Sequence, residues 1–169
     1  PDSGEPIEVH INSGGGDVYA GSEIYTALRS YPGDVTVKIV GIAASAASVI
    51  AMAGDTVEIS PTAQIMIHNV SIQVNGDHNT LLHEAGVLEG FNKSIASAYV
   101  HKTGKALDDL LGLMNKTTWF DAESALNHGF VDKIMFTNEV APTLVASETP
   151  MIPSDFIEKM RSAMTPDID

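Results

Sequence analysis

Gly41-Ile42-Ala43-Ala44-Ser45-Ala46-Ala47-Ser48-Val49-Ile50-Ala51-Met52-Ala53-Gly54 is the stretch on which the fold turns. From Ser45 to Ala53 it is small and apolar on every side, and a helix without a polar face belongs inside a domain. Gly54-Asp55 stops it. Just upstream, Asp34-Val35-Thr36-Val37-Lys38-Ile39-Val40 reads as a strand, so a strand feeds into a buried helix. A similar order occurs earlier. Pro6-Ile7-Glu8-Val9-His10-Ile11 alternates as a strand and runs into the turn Asn12-Ser13-Gly14-Gly15-Gly16-Asp17. A helix follows, with Val18, Ala20, Ile24 and Leu28 at helical spacing, and Pro32-Gly33 ends it. Alternating strands and helices predict an α/β domain with parallel pairing and crossover helices. Ligand chemistry is then expected at the carboxyl ends of the strands.

Downstream, Thr56 to Ile59 and Gln64 to Val70 read as short strands on either side of Ser60-Pro61. Asn75-Gly76-Asp77 is a turn, and a long helix is predicted from Asn79 to Thr103. Ala106 to Met114 forms a shorter one. Asp121 is an N-cap for the helix that follows it. Phe130 to Phe136 reads as a last strand. Prolines then gather at Pro142, Pro150, Pro153 and Pro166. The chain therefore divides into a domain over 1–136 and a tail over 137–169. That tail reads as a Pro-containing linker and a short amphipathic helix bearing Phe156, Ile157, Met160 and Met164.

Composition narrows the function. A chain of 169 residues with 44% hydrophobic residues suits one domain with a real core. Nine Lys and Arg against 22 Asp and Glu give a net charge of −13, which argues against nucleic acid and against an anionic membrane surface. With no cysteine there is no disulfide, no thiolate metal site and no Cys nucleophile, which fits a reducing compartment. The longest apolar run, Ile39 to Ala53, is interrupted at Gly41, Ser45 and Ser48 and is too short to span a bilayer. No signal-peptide pattern opens the chain, and because it starts at Pro1 rather than Met its beginning is treated as incomplete.

Three places carry chemistry. Gly14-Gly15-Gly16 lets backbone N–H groups converge on an oxyanion, or is simply a tight turn. It fits neither phosphate-binding glycine pattern. Ser45 opens the buried helix, either as an N-cap or as a hydroxyl presented beside helix N–H groups. Ser48 reads as a packing residue one turn further on. His68, ending Ile65-Met66-Ile67-His68, is a structural hydrogen-bonding histidine or a base. Asp77, His78, His83 and Glu84 do not make a metal site, because His78 and His83 lie on different helix faces. No metal or cofactor is expected.

Taken in order, these elements resemble the Clp proteolytic subunit (ClpP) family of serine peptidases. The family's Ile-Asn-Ser-Pro-Gly-Gly stands here as Ile11-Asn12-Ser13-Gly14-Gly15-Gly16, followed by Ala20-Gly21 and Ile24-Tyr25. Its Gly-x-Ala-Ala-Ser stands as Gly41-Ile42-Ala43-Ala44-Ser45, and its Met-Ile-His as Met66-Ile67-His68. A later family stretch matches Ala122, Ser124-Ala125, Gly129 and Val131-Asp132. Asp17-Val18-Tyr19-Ala20-Gly21 and the run from Ala43 to Gly54 look closest to the ClpP-like prohead proteases of tailed phages and prophages.

The resemblance implies a ClpP/crotonase-type fold of repeated β-β-α units with a projecting handle helix, Asn79 to Thr103. That helix would pack against another subunit and make a homo-oligomer, and its Leu81, Leu82, Val87, Leu88, Phe91 and Ile95 are more apolar than a solvated helix needs, though they could also pack on their own domain. It implies Ser45 as nucleophile, His68 as general base, and the N–H groups of Gly16 and Ala46 as the oxyanion hole. Its third catalytic position, acidic in the family, falls on Thr117, with Asp121 as the alternative carboxylate. Gly14 replaces the family proline, and the family's strand and helix upstream of Pro6 are not seen.

The implied activity is an ATP-independent serine endopeptidase cutting scaffold and capsid proteins, in the host cytoplasm or the prohead. The alternatives are a ClpP-like subunit working with an unfolding ATPase, a crotonase-fold acyl-CoA enzyme, and a non-catalytic assembly protein. Against the acyl-CoA enzyme, no basic cluster awaits the CoA phosphates.

Overall fold

The structure, a computed structural model, describes residues 4–137. The linker and amphipathic helix expected over 137–169 fall, Thr137 apart, outside the described residues. The elements in order are β1 (Ile7–Ser13), α1 (Val18–Arg29), β2 (Val35–Ala44), α2 (Ala46–Ala51), β3 (Thr56–Ile59) and β4 (Gln64–Ile67). Then come α3 (His78–Thr103), α4 (Leu107–Asn115), β5 (Thr118–Phe120), α5 (Ala122–Asn127) and β6 (Lys133–Ile134).

β2 organises the sheet because it alternates. Val35, Val37 and Ile39 point inward at 1%, 0% and 0% exposure, while Thr36 and Lys38 point outward. Each such burial stabilises by about 1.5–3 kcal/mol. β1 lies parallel along one edge of β2, from Ile7↔Val35 to Ile11↔Ile39 and again at Ser13↔Ala43. The opposite edge is shared. β3 takes the first half, Thr36↔Thr56 to Ile39↔Ile59, and β4 takes the second, Ile42↔Gln64 to Ala44↔Met66. β6 extends the sheet beyond β3 in parallel, and β5 extends it beyond β4 in antiparallel.

Helices pack where their small residues allow. Asp17 caps α1 by accepting from the Ala20 N–H at 2.8 Å. Gly21 on that helix faces α2, and a Cβ there would stand 2.9 Å from the Ala46 Cβ. Asp77 caps α3, and Gly104, left-handed at φ 69°, ends it. Only the last part of α3 enters the core, through Ile95, Ala96, Ala98 and Tyr99. Its first turns stand out, with Leu81 46% and Leu82 70% exposed.

Several boundaries differ from the sequence reading, and β4 already stops at Ile67 rather than Val70. β2 continues through Gly41 to Ala44, because β4 pairs with it there. The buried helix is Ala46–Ala51, shorter than Ser45 to Ala53, because Ser45 is not helical. The final strand is only Lys133–Ile134. Phe130 is buried, but its N–H is tied to the Ala125 carbonyl at the end of α5. Asp132 instead spends its carboxylate on the Val57 N–H and on Lys102. The Asp132 and Met135 N–H groups bond the Val57 and Ile59 carbonyls of β3, so the ladder covers only the middle of an apolar stretch that reads as a longer strand in sequence. No helix among the described residues is long and apolar enough to cross a membrane.

Candidate active site

Ser45 sits where β2 turns into α2, at φ 55° and ψ −128°. That backbone region is costly for any residue with a Cβ and persists only where the surroundings hold it. Here they do. The Ser45 N–H donates to the Met66 carbonyl at 2.9 Å, and the Ser45 carbonyl accepts from the Ser48 N–H at 2.9 Å. The Ser48 hydroxyl donates to that same carbonyl at 2.6 Å. Ser45 occupies the N-cap position, yet its side chain makes no cap bond. Its Oγ lies 2.8 Å from Nε2 of His68.

The pairing of β2 with β4 makes this contact. Ala44↔Met66 is the last registered pair, so the chain carries Ser45 and His68 off the same end of the sheet. A hydroxyl within hydrogen-bond reach of an imidazole nitrogen is the geometry of a serine nucleophile and its base.

The glycine turn closes over this end. Gly15 is at φ 91°, and a Cβ there would stand 2.5 Å from the Ala44 carbonyl oxygen and 2.9 Å from the Ala46 nitrogen. The turn thus comes within contact of the amide that begins α2. The Ala46 N–H has no acceptor among the described residues. Gly16, Ser45, Ala46 and His68 all line one cavity of about 320 Å³. With only six residues in α2, the Ala46 amide acts here as a single donor and not as the end of a helix macrodipole.

The far wall of the cavity is α3, including Leu88 and Phe91. The Phe91 ring meets Tyr19 edge-on, with centroids 5.5 Å apart. Leu88, Phe91 and Ile95, read from sequence as facing another subunit, therefore have neighbours within this chain. Leu81, Leu82 and Val87 remain exposed.

The third catalytic position is not assembled by hydrogen bonds. β5 pairs with β4 up to Ile67↔Thr118, so His68 and Thr117 are the next residues on the two strands. Thr117 is exposed at φ 50°, and its hydroxyl makes no bond to His68. Asp121 accepts from the Ser124 N–H at 2.8 Å and so serves as the cap of α5. Nδ1 of His68 has no partner among the described residues.

Two residues at the site were not singled out for chemistry by the sequence. Ser48, fully buried, also shares a 2.8 Å hydrogen bond with the Tyr99 hydroxyl, itself 1% exposed. Burial pushes the Tyr99 phenol up to about 12. The two lie 51 positions apart, so no local pattern links them.

The chain as a whole is similar to known proteins. A family model described as Clp protease matches residues 1–138. The ATP-dependent Clp protease proteolytic subunit 1 of Leifsonia xyli is 31% identical over 135 residues, covering 79% of this chain and 68% of that protein. The ATP-dependent Clp protease proteolytic subunit of Pleurastrum terricola is 33% identical over 135 residues, covering 79% and 69%. Among solved structures, a ClpP1 mutant from Listeria monocytogenes superposes with a TM-score of 0.72 at 25% identity, over 80% of this chain and 77% of that one.

Proposed function

The chain belongs to the Clp protease family of serine endopeptidases, and we propose that Ser45 is its nucleophile and His68 its general base. The observation that carries this is the 2.8 Å contact between Ser45 Oγ and His68 Nε2, beside a cavity and an unengaged amide. Oγ attacks the scissile carbonyl carbon while Nε2 takes its proton. The carbonyl oxygen becomes an oxyanion held by the N–H groups of Ala46 and Gly16. Collapse of that intermediate breaks the C–N bond, and the imidazolium returns the proton to the leaving amine. Water then repeats the sequence on the acyl-enzyme. The apolar cavity wall of Leu88 and Phe91 suits an apolar substrate side chain.

A fluorophosphonate serine probe with mass mapping tests the assignment. The expected label is on Ser45 alone and is absent from Ser45→Ala. Label on Ser48, or label surviving in Ser45→Ala, overturns it.

The mode of work has two readings. The matched relatives are named as ATP-dependent, which favours a subunit that receives chains from an unfolding ATPase. The wording of Asp17 to Gly21 and Ala43 to Gly54 favours the ATP-independent prohead type, cutting scaffold or capsid proteins. Incubating the purified chain alone with a folded and an unfolded protein separates them. Cleavage of a folded protein in the absence of ATPase supports the second reading, and cleavage of unfolded chains only supports the first.

We also propose a homo-oligomer formed through the exposed start of α3. Leu81→Glu with Leu82→Glu is expected to lower the mass seen by light scattering. An unchanged mass overturns this.

A further inference from the structure

Ser45 and Ala46 share one peptide unit, and that unit is held from one side only. Its carbonyl accepts from both the N–H and the hydroxyl of Ser48, at 2.9 and 2.6 Å. A trans peptide is rigid and planar, so its C=O and N–H point in opposite directions. Whatever fixes the Ser45 carbonyl therefore fixes the aim of the Ala46 N–H. The Ser48 hydroxyl has one proton, and that proton is committed to the Ser45 carbonyl. In the 2.8 Å contact between Ser48 Oγ and Tyr99, the phenol must then be the donor. The direction of the chain is set: Tyr99 O–H to Ser48 Oγ, Ser48 O–H to Ser45 C=O.

We propose that Ser48 and Tyr99 are positioning residues that aim the Ala46 N–H at the oxyanion; the inference rests on Ser45 as nucleophile and Ala46 as oxyanion donor. Neither residue's polar atom needs to touch substrate. Ser48 is 0% exposed and Tyr99 1% exposed, so water does not compete for the bonds. Burial also keeps the phenol protonated, and hence a donor, throughout the neutral range. The arrangement adds polarisation to geometry. A carbonyl that accepts two hydrogen bonds makes its own amide N–H a better donor. The relay further opposes the tendency of Ser45 to leave its costly backbone conformation.

The experiment uses the full chain with Tyr99→Phe, Ser48→Ala and the double variant. Four quantities are read: kcat and KM on a fluorogenic peptide with an apolar residue before the scissile bond, the inhibition constant of a peptidyl aldehyde, and Tm. The aldehyde forms a hemiacetal with the serine, and the hemiacetal oxygen occupies the oxyanion position. Ser48→Ala is expected to lower kcat about tenfold, below the 10²–10³ that loss of an oxyanion donor costs. Tyr99→Phe is expected to lower it about threefold to fivefold, as for one hydrogen bond. The aldehyde constant should weaken by the same factors while KM stays within about twofold. The double variant should be no worse than Ser48→Ala, since the two act in series. A merely structural role would lower Tm and leave kcat and the aldehyde constant unchanged, and that result overturns the proposal. If Ser48→Ala does not fold, Tyr99→Phe alone carries the test, because it deletes one oxygen atom. Turnover that persists in Ser45→Ala overturns the nucleophile assignment itself and is read separately.

Discussion

Gly15 and Ser45, thirty positions apart, are packed so closely that a methyl group on the first would stand 2.7 Å from the Cβ of the second. At that spacing something must move, and the atoms around Gly15 are mostly backbone. Gly15→Ala is expected to displace the turn and the Gly16 N–H with it. We expect peptidase activity to fall by about a hundredfold, as for an oxyanion donor, with a stability loss of about 1–3 kcal/mol. Gly14→Ala is the control, because nothing lies within 4 Å of a Cβ there. Peptide turnover and denaturant unfolding of both variants check this, and equal behaviour would refute it.

Ser45 holds a conformation that glycine enters without cost. Ser45→Gly and Ser45→Ala should both be inactive. They should differ in stability, with Ser45→Gly the more stable by about 1 kcal/mol. The function of the hydroxyl is thus maintained against the backbone preference of the residue that bears it. Urea unfolding of the pair tests this, and a less stable glycine variant counts against strain at this position.

Among the described residues nothing bonds Nδ1 of His68 to fix the imidazole tautomer or to offset its charge when it takes the proton. Thr117 is the neighbour across the end of the β4–β5 ladder. Thr117→Asp should therefore raise kcat by about tenfold or more, against the loss of up to about 10⁴ that follows removal of a triad carboxylate. Asp121→Asn should be nearly silent, since Asn caps a helix as well as Asp. A crippled Asp121→Asn would make that carboxylate the missing partner.

Tyr99 makes alkaline stability depend on pH. Its phenol is raised by burial to about 12 when folded, against about 10 in an unfolded chain. The folded state therefore holds the proton more tightly. This contribution is whole below about pH 10 and is lost as pH rises towards about 12, by up to roughly 2–3 kcal/mol. Tyr99→Phe should show a shallower fall of stability over that window. Equal slopes in circular-dichroism titrations would refute this.

The parts legible in sequence are the ones written in local pattern. The glycine turn, the strand of alternating Val35, Val37 and Ile39, and the small-residue helix each follow from neighbours a few positions apart. The strain at Ser45 was hidden because a positive φ is signalled in sequence by glycine, and a serine stands there. The Ser48–Tyr99 bond was hidden because it spans the fold. Leu88 and Phe91 looked unpartnered because the strand end and the α1 turn that face them are brought there only by the sheet. Phe130 to Phe136 looked like a strand because burial and ladder pairing leave the same apolar trace.

The shared edge of β2 turns a short connector into a measuring rod. β3 and β4 abut the same strand, with the Ser60 N–H tied to the Ile39 carbonyl and the Ala63 N–H tied to the Ser60 carbonyl between them. The number of residues from 60 to 63 therefore dictates where β4 begins, and with it where His68 arrives. One residue more would slide the strand by about 3.3 Å and turn every side chain to the opposite face. His68 would then miss Ser45 altogether. A loop that need not meet substrate thus sets the calibration of the chemistry, and its length is as much a requirement of the enzyme as the serine itself.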